Sequence, residues 1–167
     1  FTHTHFSGTG HSDLGDILLM PITGKLMLNP GTADAPEKGY RSAFSHSTET
    51  ASPGYYAVTL DDNNIRAELT ATTRVGVHRY TFADGGDAHV ILDMIHGIYN
   101  YDGKNVWTFL RVENDTLVTG FRQTNGWART RSLYFAIAFS KPFKSYGFVN
   151  ESPARVYKGF WRRFDQQ

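Results

Sequence analysis

Three histidines, two acids and a glycine pair crowd the first sixteen residues: His3, His5 and His11, Asp13 and Asp16, and Gly8 and Gly10 around Thr9. Imidazoles and carboxylates bind metals, move protons near neutral pH and hydrogen-bond directionally to hydroxyls. His3 and His5 alternate with Thr2 and Thr4, so in an extended chain both rings stand on one side. Such a pair could chelate zinc or copper, with a third ligand from His11, Asp13 or Asp16. It could equally touch a neutral hydroxylated ligand, or bond within its own loop. No HExxH or cysteine-based spacing favours a dedicated metal. The reading carried forward is ligand contact by His3, His5, Asp13 and Asp16, with no metal held by the chain. Gly8 and Gly10 would let backbone amides approach that ligand, although an ordinary tight turn explains them as well. Gly8-Thr9-Gly10 is not a nucleotide loop, because neither the GxGxxG nor the GK[ST] pattern accompanies it.

Other constellations carry less. Ser45, His46, Ser47 and Glu49 suggest a hydrolase triad, but no G-x-S-x-G nucleophile elbow exists. Glu68 lies beside Arg66 on the polar side of an alternating segment. It reads as a sheet-face ion pair or strut rather than one of two catalytic carboxylates. Trp127 follows Asn125-Gly126, the strongest short hairpin signal in the chain. Its indole could stand at a hairpin edge and stack on a pyranose; the competing reading is a core aromatic, as for Trp107 and Trp161.

The elements that must position these groups are strands. Residues 17–20 form an apolar run closed by Pro21, an anchor for the polar loop before it, and residues 22–28 could extend that strand around Gly24. Residues 29–39 read as a loop. Alternating segments follow at 55–60, 65–73, 77–82, 89–95, 106–112 and 116–122, and a continuous apolar strand at 133–139. In the second of these, Ile65, Ala67, Leu69 and Ala71 share one face, with Arg66, Glu68, Thr70 and Thr72 on the other. Turn residues recur every eight to twelve positions, which predicts an antiparallel sandwich or barrel rather than βαβ units. Residues 156–164 could add a strand, for which a partner outside the chain is expected.

Composition sets the bounds. The 167 residues suffice for one domain with a real core, and the hydrophobic and charged fractions, 40% and 20%, are those of an ordinary globular protein. No cysteine is present, so neither disulfide nor thiolate site exists. No apolar run is long enough for a membrane helix. Residues 1–100 carry a net charge of −5 and residues 101–167 of +6. The halves neutralise each other to +1, and no nucleic-acid motif accompanies the basic half, so a phosphate-backbone partner is not expected. The chain starts at Phe1 and stops at Gln167, and both ends read as cut from something longer.

The opening HTHFSGTGHSDLGDILLMP resembles the start of the N-terminal domain of glycoside hydrolase family 92, the bacterial exo-acting α-mannosidases. Three later segments are similar to the same family in the same order: FSHSTETASPGYYAVTL, IRAELTATTRVGVHRYTF, and GW followed by YFAIAFSKPF. The resemblance implies an all-β fold across residues 1–167, an antiparallel β-sandwich of the supersandwich, galactose-mutarotase-like kind. It also implies a helical (α/α)-barrel partner domain, absent here, with the active site at their junction. Catalysis there would be inverting, with acid, base and most calcium ligands on the helical domain. The expected substrate is a mannose-containing glycan, with α-1,2 linkages the first expectation, although linkage preference follows a leaving-sugar subsite that varies within the family. A periplasmic, secreted or cell-surface location in a bacterium is implied too. The chain would then be inactive alone and lend its opening loop and Trp127 to the pocket wall. A stand-alone lectin-like module is the alternative, and mannose calorimetry on the isolated chain separates them.

Overall fold

Period-two alternation asks for strands, and strands are what the chain forms. The computed structural model describes residues 1–5, 13–83, 85–149 and 160–164, the last through their backbone. In chain order the strands are β1 (Leu18–Thr23), β2 (Thr50–Ser52), β3 (Tyr55–Leu60), β4 (Ile65–Ala71), β5 (Gly76–Phe82), β6 (Ala88–Asp93), β7 (Asn105–Val112), β8 (Leu117–Thr124), β9 (Arg131–Ala138) and β10 (Phe160–Phe164). Two short 3-10 turns, Pro36–Lys38 and His46–Thr48, interrupt them, and no α-helix occurs among the described residues. The strands form three sheets, ordered β2-β3-β4-β5, β10-β7-β8-β9 and β1-β6. Both four-stranded sheets are antiparallel, so the all-β antiparallel class read from the alternation is present.

The chain divides into two compact units, one of Phe1 with Leu19–Leu92 and one of Thr2–Leu18 with Asp93–Gln167. In the first, Ile65 and Ala67 of β4 are fully buried, beside Leu60 and Val58 of β3 and Phe82 and Tyr80 of β5. Ile65, Leu60 and Val58 each contribute about 1.5–3 kcal/mol by leaving water. The opposite face of β4 carries Arg66 and Glu68 as the alternation predicts. Pro53 and Gly54 turn β2 into β3, Gly54 taking the positive φ of 77° that this turn position requires. The first strand is shorter than residues 17–28. It ends at Thr23, where Gly24 turns away at φ 70°.

In the second unit β8 alternates between half-buried and buried positions, the buried ones being Val118, Gly120, Arg122 and Thr124. The other face bears an aromatic row. Phe121 lies against Trp107 (ring centroids 4.8 Å), Phe109 (5.7 Å) and Tyr134 (5.4 Å). Two sequence expectations are corrected here. The tail strand β10 finds its partner inside the chain, pairing antiparallel with the open edge of β7 from Phe160↔Arg111 to Phe164↔Trp107. The other is an extent rather than a position: Asn125-Gly126 does lie in the reversal between two antiparallel strands, but these reach closer to it than 116–122 and 133–139, β8 ending at Thr124 and β9 beginning at Arg131.

Candidate functional site

Arg122 decides the geometry of the second unit. Strand periodicity gives its side chain the same face as Val118 and Gly120, and it is only 1% exposed. A guanidinium has five N–H donors and cannot shed its proton, so burial is tolerable only where acceptors surround it. They do. Asp16 Oδ1 lies 3.2 Å from Nη1, which also donates to the His96 carbonyl, while Nε and Nη2 donate to Asn105 Oδ1 at 2.9 and 2.6 Å. Burial pulls the Arg122 pKa down, and the Asp16 and Asp93 carboxylates oppose that pull.

Asp16, 2% exposed, is thereby the hub on which three segments meet. The first is the opening chain. Thr4 Oγ1 donates to Asp16 Oδ2 (2.6 Å) and accepts from the Asp16 amide (3.0 Å), while Gly15 N donates to the Thr4 carbonyl (2.8 Å). The second is the loop from β6 to β7, where Ile98 N donates to the Leu14 carbonyl and Asp93 Oδ1 accepts from the amides of Ile95 and His96. Buried Lys104 donates from Nζ to the Tyr99 carbonyl in this loop, and its pKa is lowered first by burial and then by Arg122. The third is the start of β9. Arg131 Nη2 reaches Asp16 Oδ2 (2.6 Å) and the Asp13 carbonyl (2.8 Å).

The predicted site residues fall on this framework in different ways. Asp16 and Asp13 are tied into it, Asp13 Oδ2 accepting from the Trp127 amide at 2.6 Å. A Cβ on Gly126 would overlap the Asp13 carboxylate, so glycine is required for that approach. Trp127 itself is 78% exposed on a tightly held turn: Asn125 N donates to the Lys104 carbonyl (2.8 Å), and Tyr101 Oη donates to the Asn125 carbonyl (3.0 Å). Tyr99 and Tyr101, with ring centroids 6.3 Å apart, are exposed in the neighbouring loop. His3 and His5 are both exposed. His3 Nδ1 lies 2.8 Å from the Ile17 carbonyl, and His5 Nε2 lies 2.6 Å from Thr2 Oγ1. Gly8 and Gly10, with His11, lie outside the described residues. Among the described residues no three His, Asp or Glu side chains are grouped to hold a metal.

The other candidates in the chain are tied into local structure. Glu68 is clamped bidentately by Arg79 of β5 (2.6 and 2.5 Å), not by adjacent Arg66, and accepts from Tyr55 Oη (2.8 Å). The Arg79 hydrogen bonds, then that of Tyr55, hold its pKa down to about 2. His46 pairs with Glu49 at 2.5 Å, and Ser45 caps the 3-10 turn by accepting from the Ser47 amide.

What sequence reasoning missed is the support: Thr4, Lys104, Asn105, Arg122 and Arg131. One signal was legible. In the strand read at residues 116–122, Arg122 shares parity with Val118 and Gly120, and a cation on a buried face must have an acid to meet.

The family model of the glycosyl hydrolase family 92 N-terminal domain matches residues 1–166. Among solved structures, the chain is similar to the family GH92 α-mannosidase of Bacteroides thetaiotaomicron in complex with mannoimidazole. The identity is 35% and the TM-score 0.84, over 98% of this chain and 23% of that one. A second structure of that α-mannosidase agrees, with 35% identity and a TM-score of 0.84 over 98% of this chain and 24% of that one. The GH92 family glycosyl hydrolase ccman5 is 30% identical, with a TM-score of 0.65 over 81% of this chain and 19% of that one. The chain thus spans about a quarter or less of the length of these structures. No curated protein sequence matches it.

Proposed function

The chain belongs to the N-terminal domain family of glycosyl hydrolase family 92, and on that premise we propose that it forms one wall of an α-mannosidase pocket. The observation that carries this reading is the Asp16 hub. It holds a histidine-bearing segment and a turn bearing exposed Trp127 on one buried ionic framework. Rigidly held polar groups and an exposed indole suit a neutral sugar, offering directed hydrogen bonds and a flat apolar face. The substrate is a mannose-containing glycan, with α-1,2-linked mannose the first candidate, and a bacterial periplasmic or surface location fits such a substrate.

The chemistry itself is supplied elsewhere. Inversion needs a general acid and a general base about 6.5–9.5 Å apart with water between them. A general acid must hold its proton near the working pH. Glu68, at about 2, does not, and its oxygens are occupied by Arg79 and Tyr55. Asp16 is committed to Arg122, Arg131 and Thr4. As the family resemblance implies, acid and base would come from a helical domain, and on this reading the isolated chain does not turn over mannosides. Calcium would take six to eight oxygen ligands. Of the described carboxylates of this wall, Asp16 is committed to Arg122, Arg131 and Thr4, and Asp13 Oδ2 accepts from the Trp127 amide. The calcium ligands would come mainly from the helical domain, as the family resemblance implies.

The test uses the intact enzyme carrying this domain. Trp127→Ala is expected to lower kcat/KM about tenfold or more, the equivalent of ~1.4 kcal/mol of transition-state binding, with little change in Tm. His46→Ala, at an exposed turn of the first unit, is the comparison and should change neither. Wild-type kinetics for Trp127→Ala would remove the turn from the pocket.

A further inference from the structure

The outer strand of a sheet presents unpaired backbone N–H and C=O groups. Proteins that leave such a strand in water protect it with charge, proline, a bulge or short length. Among the described residues β9 is an outer strand of the order β10-β7-β8-β9, and it has none of these protections. It runs for eight residues, RSLYFAIA, without proline or glycine. Its one charge is on Arg131, which is bonded to Asp16. Its register with β8 is unbroken from Leu117↔Ala138 to Thr124↔Arg131. By contrast β5, an outer strand of the other four-stranded sheet, carries exposed Arg79 in its middle.

One bond shows which backbone groups are bare. Phe139 N donates to the Thr116 carbonyl (2.8 Å), and bonded and unbonded residues alternate along an antiparallel pair. Arg131, Leu133, Phe135 and Ile137 therefore bond to β8, whereas Ser132, Tyr134, Ala136 and Ala138 turn their N–H and C=O away from it. No backbone bond from the described residues meets them on that side. Their side chains stand on the face of Phe121, which pairs with Tyr134. All four residues are exposed, Tyr134 most plainly at 73%.

Four donors and four acceptors at strand spacing, beside small uncharged side chains and one tyrosine, are matched by another extended chain. We propose that β9 is the joining edge of this domain: in the intact enzyme it pairs with a strand from the polypeptide outside residues 1–167, which sets an apolar residue beside Tyr134. Two observations favour this source. An edge without charge from Ser132 to Ala138 suits a permanent partner, because permanent interfaces are the more apolar ones. And the matched region is only 23% of the similar α-mannosidase, which leaves most of such an enzyme to supply the strand. The proposal stands on family membership, and the placing of Trp127 in the pocket does not enter it.

Amide exchange of the intact enzyme, resolved to single residues, tests it. Ser132, Tyr134, Ala136 and Ala138 should exchange at least about a hundredfold more slowly than unstructured amides, as Leu133, Phe135 and Ile137 do on the β8 side. Ala136→Pro removes an outward N–H that β8 does not use. It should therefore speed exchange at Tyr134 and Ala138, leave the inner amides slow, and lower Tm by a few degrees. Fast outward amides beside slow inner ones in the wild-type enzyme overturn the proposal, as does a wild-type pattern and Tm in Ala136→Pro. Outward protection that rises with protein concentration, together with a doubled mass in sedimentation, also overturns it, by making the partner a second copy.

Discussion

Among the described residues the Arg122 guanidinium is almost wholly buried, and Asp16 is the carboxylate that makes this tolerable. Two cations converge on that one carboxylate, Arg122 at 3.2 Å and Arg131 at 2.6 Å. Replacing the whole group with apolar side chains could be nearly neutral, but removing one member strands the others in low dielectric. Asp16→Ala is therefore expected to destabilise the protein by about 3–5 kcal/mol, read as a shift in the denaturant midpoint at unchanged slope. A loss below ~1 kcal/mol would mean that water replaces the carboxylate. The acids at positions 13 and 16 were legible in the sequence as reactive types, but their partners, more than a hundred residues away, were not. Chain separation hides an ion pair that sheet register creates.

At the scale of elements, the β4–β5 pair shows how register selects partners. The alternation places Arg66 and Glu68 on one face, but neighbours two apart on a strand point the same way without facing each other across a rung. Register sets Glu68 directly opposite Arg79, the geometry for a bidentate pair, and Arg66 Nη1 donates to the Thr48 carbonyl instead. The pair has a pH signature. The Glu68 pKa is about 2 in the folded chain against an ordinary 4.5, so its contribution is fully present above pH 4.5 and fades as pH falls towards 2. Tm profiles of wild type and Glu68→Gln should consequently converge as pH drops through that window and separate above it. Parallel profiles from pH 2 to 7 would refute the linkage. The β8–β9 connection makes a second point: the Asn125-Gly126 signal correctly marked a reversal between strands, and Asp13 recruits Gly126 and Trp127 of that loop into the site.

For the molecule as a whole, the β7-β8-β9 face carrying Trp107, Phe109, Phe121 and Tyr134 is the feature that predicts behaviour in solution. Tyr134 at its end is 73% exposed, and Tyr99 and Trp127 are exposed elsewhere in the same unit. Trp107, Phe109 and Phe121 are half-buried, and apolar surface left exposed in such a row favours association. The isolated chain should self-associate at high concentration, giving a rising weight-average mass in sedimentation, and should show no turnover of an aryl α-mannoside with calcium present. A clean monomer across the concentration range, or turnover, would contradict this.

Local pattern alone settled the class of this protein. Period-two hydrophobicity and spaced turn residues admit few structures other than antiparallel sheets, and the resemblance of four segments pointed to the family to which the chain belongs. It also offered Asp13, Asp16 and Trp127 as candidates, beside readings as a metal ligand, a bond within the loop or a core aromatic. Only the tertiary structure decided what each of them bonds to and how exposed it is. Strand parity and register bring Arg122 and Arg131 to Asp16, close Gly126 onto Asp13 and turn Ile17 left-handed so that its carbonyl meets His3. The partner of β10 was settled in the same way, by an edge of β7 that no local pattern reveals. The physical reason is range: propensity and periodicity act over a few residues, whereas ion pairs and sheet edges join groups that only the folded chain brings within a few ångströms.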